Sequence, residues 1–226
     1  MLKRPVGRGP GLRVACLTLV LAATPLLAPP AQADQSTTHY AVTLLGVPVG
    51  AMSVTQSWSG ATYAAASAFH TTGVVALVRD VGFEMQSEGQ REGQHLRPER
   101  YRERVNTGER TSNGEVTFAG GDRRQGPNSA MVEVLSDRPL SQGCGFHATI
   151  FDGEREHDVR IAEGSASGGT YVCHGQMLRT KGYSAEELAQ RNGYSFTVTY
   201  AVDGDQLRFA HADVSTQYGP ARVSRQ

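Results

Sequence analysis

The sequence predicts a mainly β protein, a curved antiparallel sheet or half-open β-barrel with one or two short helices. Three observations carry that reading. Runs in which apolar and polar residues alternate recur along the chain, as in Phe83-Glu84-Met85-Gln86-Ser87-Glu88, the period-two pattern of a half-buried strand. Turn dipeptides such as Asn113-Gly114, Asp152-Gly153 and Asp203-Gly204 separate these runs. Only Ser184 to Arg191 has a well-marked helix start.

The first 33 residues read as an export signal. Lys3, Arg4, Arg8 and Arg13 form a basic start, an apolar run follows from Val14 to Ala28, and Ala31-Gln32-Ala33 has the small-x-small form of a signal-peptidase site. That run is shorter than the roughly 20 apolar residues a membrane-spanning helix requires, and Pro25, Pro29 and Pro30 close it. Residues 34–226 then form a single β-rich domain of 193 residues, with no later stretch apolar for long enough to span a membrane. Cys16 lies inside the signal, and Arg13-Val14-Ala15 ahead of it lacks the leucine-led form that precedes a lipid-modified cysteine.

The remaining chain carries 18 Lys and Arg against 22 Asp and Glu. A mildly acidic balance of this kind argues against a nucleic-acid partner. Arg91 to Arg110 is rich in arginine, but Glu92, Glu99, Glu103 and Glu109 are interleaved, as on exposed strand faces.

Elements follow in order from the mature start. Tyr40 to Val54 reads as two apolar stretches around Gly46-Val47-Pro48-Val49-Gly50, where Pro48 lacks a ladder donor and so marks an edge or bend. Trp58 and Ser59-Gly60 lead through a turn into Tyr63 to Phe69. Val74 to Val78 is too brief to classify by period, and it is the expected filler of one end of the sheet. Strands follow at Phe83 to Glu88 and Pro98 to Val105. Asn106-Thr107-Gly108 turns the chain, and Asn113-Gly114 reads as a further hairpin turn before Val116 to Phe118. Gly120 to Asn128 is a polar, glycine-rich loop. The strand pattern resumes with Met131 to Leu135, Phe146 to Phe151, Val159 to Ile161 and Thr170 to Cys173. Ser184-Ala185-Glu186-Glu187 is a capping box for a two-turn helix stopped by Asn192-Gly193, and Tyr194 to Val202 and Gln206 to Ala210 flank Asp203-Gly204 as a hairpin.

Cys144 and Cys173 remain after the signal, and an even cysteine count in an exported chain points to a disulfide. Closing a loop of that length contributes on the order of 3 kcal/mol in the chain-entropy account. The neighbouring His147 and His174 complete the inventory of a zinc site, but oxidised sulfurs are not thiolate ligands, so no metal is expected there. Asp152, Glu154, His157 and Asp158 offer acids beside an imidazole. Solvent-facing charges around a turn account for them better, since no partner nucleophile stands at a recognisable spacing. Gly164-Ser165-Ala166-Ser167-Gly168 lacks the spacing of a nucleophile elbow. With no phosphate-cradling or dinucleotide-binding loop either, no cofactor is expected.

A strongly curved sheet must fill its concave side with a helix, a loop or a ligand. Trp58, Phe69, Val75, Leu77, Phe83 and Met85 are the residues expected to line an apolar cavity there.

In order along the chain, Tyr40-Ala41-Val42, Gly46-Val47-Pro48-Val49-Gly50, Thr72-Gly73, Leu96-Arg97-Pro98-Glu99-Arg100-Tyr101, Cys144, Phe151-Asp152-Gly153-Glu154-Arg155, Cys173 and Gly182-Tyr183 form a set that resembles the bacterial envelope family called the domain of unknown function DUF-3108. Asn128 to Gln142 departs from the aspartate-proline-leucine-serine type of stretch expected ahead of the first cysteine. The resemblance implies a periplasmic, mostly β protein of a Gram-negative-type envelope, and it supplies no catalytic residues. The function expected from these readings is non-catalytic binding of a lipid, another hydrophobic ligand or an envelope component. The alternatives are an interaction module that docks on an envelope protein through a strand edge and, behind it, an envelope hydrolase.

Overall fold

A computed structural model describes Met1 and residues 34–78, 80–108 and 111–226. All of the expected signal except Met1 lies outside the described residues. In chain order the strands are β1 (Asp34–Leu44), β2 (Val47–Ser59), β3 (Thr62–Thr71), β4 (Gly82–Glu92), β5 (His95–Asn106), β6 (Thr111–Thr117), β7 (Arg138–Pro139), β8 (Phe146–Phe151), β9 (Glu156–Ile161), β10 (Ser165–Ser167), β11 (Thr170–Lys181), β12 (Gly193–Asp203), β13 (Gln206–Thr216) and β14 (Gly219–Arg225). The helices are α1 (Gly73–Val78), α2 (Pro127–Leu135) and α3 (Ala185–Gln190), with a 3₁₀ turn at Leu140–Gln142.

The strands form one open antiparallel sheet in the order β6-β5-β4-β3-β2-β1-β14-β13-β12-β11-β9-β8, with β7 paired to β13 and β10 to β11. The two halves of the meander meet where β14 pairs with β1, from Tyr40 opposite Arg225 to Leu44 opposite Ala221. The segment after β6 spans the gap between the end strands. Phe118 donates to the Glu99 carbonyl at 2.9 Å, and Gln125 exchanges backbone bonds with β8 through Thr149 and Phe151 at 2.9 and 2.8 Å. The sheet is therefore a half-open barrel whose edges are laced by one connection.

Asn113-Gly114 does not turn. It lies within β6, opposite Arg104 and Glu103, because Gly108, with φ of 78°, has already reversed the chain. The expected capping box is formed, with the Glu187 N–H donating to Ser184 Oγ at 3.1 Å and the Ser184 N–H donating to Glu187 Oε2 at 2.8 Å.

Met131 to Leu135 is not a strand but the C-terminal part of α2. Pro127 occupies the first turn, where its missing N–H costs no hydrogen bond, and Ala130, Met131, Val134 and Leu135 recur at helical spacing. The concave side is filled by α2 rather than by Val74 to Val78. Although α1 is a helix, Leu77 and Val78 are 87 and 89% exposed on it.

Polar bonds fix α2 against the first half of the sheet. Asn128, fully buried, accepts from Ser67 Oγ at 2.6 Å and donates to the Ala65 carbonyl and Ser87 Oγ, each at 3.0 Å. Tyr63 and Ser129 hydroxyls meet at 2.8 Å. Glu133 accepts from the Leu96 N–H and from Gln125 Nε2, and its second oxygen lies 3.4 Å from His95 Nδ1. Burial pushes the Glu133 carboxyl above its usual range, against the lowering effect of these bonds and of His95. At the other end of the helix, the Tyr200 hydroxyl donates to the Val134 carbonyl at 2.6 Å.

Cys144 and Cys173 form the expected disulfide, both within the core. It ties the chain just ahead of β8, across β9, to β11.

Candidate apolar binding site

The second half of the sheet presents its concave face to α2 without matching it. Along β12, Tyr194, Phe196, Val198 and Tyr200 share this face by the period-two rule, and Val159, Met177, Val214 and Val223 supply the facing rows of neighbouring strands. Gly175 lies opposite Phe196, and a Cβ there would collide with the Phe196 ring, so the glycine gives that ring its place over β11. Between these strands and Met131 and Val134 of α2 lies a cavity of about 450 Å³. That volume is within the range of small-molecule sites. The lining reaches the strand ends at Phe83, His157 and Tyr194, each the second residue of its strand.

Polar groups gather at that end. His157 Nε2 lies 2.5 Å from the Tyr183 hydroxyl. Burial holds the His157 imidazole below its usual pKa, with Asp152 opposing and Arg179 and Arg155 reinforcing the shift, so the ring is mainly neutral at pH 7. Burial likewise raises the Tyr183 phenol, which stays protonated. Arg155 and Arg179 stack over the Tyr183 ring at 4.7 and 4.8 Å from its centre, and Arg155 pairs with Glu187 of α3 at 2.9 Å. This end suits a polar group attached to an apolar body.

Of the six residues expected to line a cavity, Phe83 is in this lining. Phe69 packs behind it, ring centres 5.7 Å apart, and Val75 is half-buried on α1. Met85 is buried in a separate cluster with Tyr101, Val116 and Phe118. Trp58 lies under the Arg91 guanidinium, 3.8 Å from the ring centre, and lines a different cleft of about 180 Å³. Leu77 points to solvent. The residues that do line the cavity sit mainly after residue 127, and the period-two row Tyr194-Phe196-Val198 was the available sequence signal for them.

The four residues weighed for hydrolysis do not converge. Asp152 Oδ1 accepts from the N–H groups of Glu154 and Arg155 and so builds the β8–β9 turn. Asp158 points away from His157, pairing with His147 at 2.7 Å and Arg160 at 2.8 Å on the outer face. Among the described residues no helix is long and apolar enough to cross a membrane.

Residues 38–130 match the model of the family described as "Protein of unknown function (DUF3108)", the family the sequence resembles. A search of curated proteins finds no match. Among solved structures the chain is similar to a β-barrel-like protein of the domain of unknown function DUF1849 from Brucella abortus, with 11% identity, a TM-score of 0.47, and coverage of 84% of this chain and 95% of that one.

Proposed function

We propose that this protein is an exported, periplasmic binding protein that holds a lipid or another apolar molecule in the cavity between α2 and the concave face of the sheet, chiefly strands β8, β9 and β11 to β14, without changing it chemically. The observation that carries the reading is the cavity itself. Met131, Met177, Phe83, Phe196 and Val214 wall a space that α2 leaves unfilled, and an apolar occupant would remove their surface from water at about 25 cal/mol per Å². Methionines suit such a wall because their unbranched side chains adapt to more than one shape. Export is supported by the basic start, apolar run and Ala31-Gln32-Ala33 of the sequence, and by the disulfide, which persists in oxidising compartments.

A second reading, docking on an envelope protein, draws on a different observation. The exposed apolar side chains Leu45, Val47, Leu77, Val78 and Tyr218 lie on the β1–β2 turn, the first residue of β2, α1 and the β13–β14 turn, all at one end of the strands. Native mass spectrometry of protein purified gently from the periplasm, with extraction of whatever it carries, separates the two. A stoichiometric apolar molecule is the result expected for a cavity binder. A clean apo mass that persists after incubation with envelope lipids would overturn that reading in favour of docking.

A further inference from the structure

Beside the cavity stands a cation whose hydrogen-bonding capacity the protein leaves incomplete. Arg179 follows the cavity-lining Met177 by two positions on β11 and pairs across the sheet with the cavity-lining His157, so its side chain rises from the concave face one row nearer the strand end. Its Nη1 donates to the carbonyls of Glu187 and Arg191 at 3.2 and 2.9 Å, and its Nη2 to the Tyr194 hydroxyl at 3.2 Å. Its Nε is buried and has no partner. The nearby carboxylate of Glu187 feels this charge, but its oxygens are taken by Arg155 Nη2 and the Ser184 N–H. Among the described residues no carboxylate accepts a hydrogen bond from Arg179. A half-buried guanidinium held only by neutral acceptors favours an anion, because charge-assisted bonds are the strong ones and an unmet buried donor is costly.

We propose that the cavity's occupant is an anionic amphiphile, its apolar tail against Met177 and Phe196 and its acidic headgroup at Arg179, with His157 and Tyr194 beside it. The inference rests on the cavity reading above and adds the ligand's charge. A carboxylate and a phosphate monoester share the chemistry that Arg179 recognises.

The test compares dodecanoate with dodecanol, equal in tail and different in charge, titrated calorimetrically below micelle formation into the mature protein. Dodecanoate should bind about tenfold tighter or more, and dodecyl phosphate should share the advantage. Arg179→Gln should erase the difference between the two probes, and Arg179→Lys should retain part of it. Arg179 also holds the end of α3, so Tyr194→Phe serves as a second variant; it removes a neutral acceptor, and the preference for dodecanoate should survive it. Equal binding of dodecanoate and dodecanol to the unmodified protein would overturn the headgroup assignment and leave the cavity reading standing. A preference that persists in folded Arg179→Gln would also overturn it. Binding of no probe would overturn the cavity reading itself.

Discussion

The two walls that face α2 use different physics. Strands β3 to β5 meet it with hydroxyls, carbonyls and the Leu96 N–H, engaged by Asn128, Ser129 and Glu133 of the helix and by Gln125 just ahead of it. Strands β8, β9 and β11 to β14 meet it chiefly with hydrocarbon and sulfur, and there a cavity remains. Hydrogen bonds are directional and costly to leave unmade, so the first wall admits one position of the helix. Apolar contacts are non-directional and each atom pair is worth little, so the second wall tolerates a different occupant. A polar clamp on one side lets the other side stay unfilled without losing the helix.

Breaking the clamp should cost most. Asn128→Ala leaves the Ser67 and Ser87 hydroxyls and a carbonyl buried without their partner, and a loss of roughly 3 kcal/mol or more is expected in urea denaturation. A loss below about 1 kcal/mol would show that the polar wall does not fix α2.

The apolar wall has its own fastening in the disulfide. Replacing Cys144 and Cys173 by serine should lower stability by on the order of 3 kcal/mol in non-reducing buffer. An unchanged melting temperature would remove the bridge from the account.

The third prediction concerns pH and again separates the walls. Burial raises the Glu133 carboxyl in the folded protein above its unfolded value, so the folded state binds more protons across that window. This contribution is full below the unfolded pKa and is lost as pH rises through the folded one. Glu133→Gln should therefore flatten the fall in stability between acid and neutral pH, measured as denaturation midpoints. The same slope in the variant would place its origin elsewhere. Least affected should be Leu77→Ser, within about 0.5 kcal/mol by thermal melts, because that side chain stands in solvent and touches neither wall.

Where local chemistry dictates conformation, the sequence was readable. Ser184 and Glu187 cap α3 because the groups that satisfy one another lie three residues apart, and Asp203-Gly204 turns because Gly204 accepts φ of 59°. Asn113-Gly114 misled because a turn signal acts only if the chain has not just turned, and Gly108 precedes it by a few residues. The short segment from Met131 to Leu135, four apolar residues around Glu133, fits strand or helix equally. What makes it helical is Asn128, Ser129 and Glu133, whose partners on β3, β4 and β5 lie some 37 to 66 residues away along the chain. Trp58 and Leu77 lie away from the cavity for the same reason, since apolarity marks a side chain for burial or contact without saying where.

By itself the sequence determined the β architecture, the short capped helix and the pairing of the two cysteines, all of which follow from local periodicity, turn chemistry or simple counting. Which segment fills the concave face, which wall stays open and which cation stands beside the opening were decided only in the tertiary structure. Those features depend on groups brought together by sheet curvature and by the pairing of β14 with β1, and no local pattern encodes such distances.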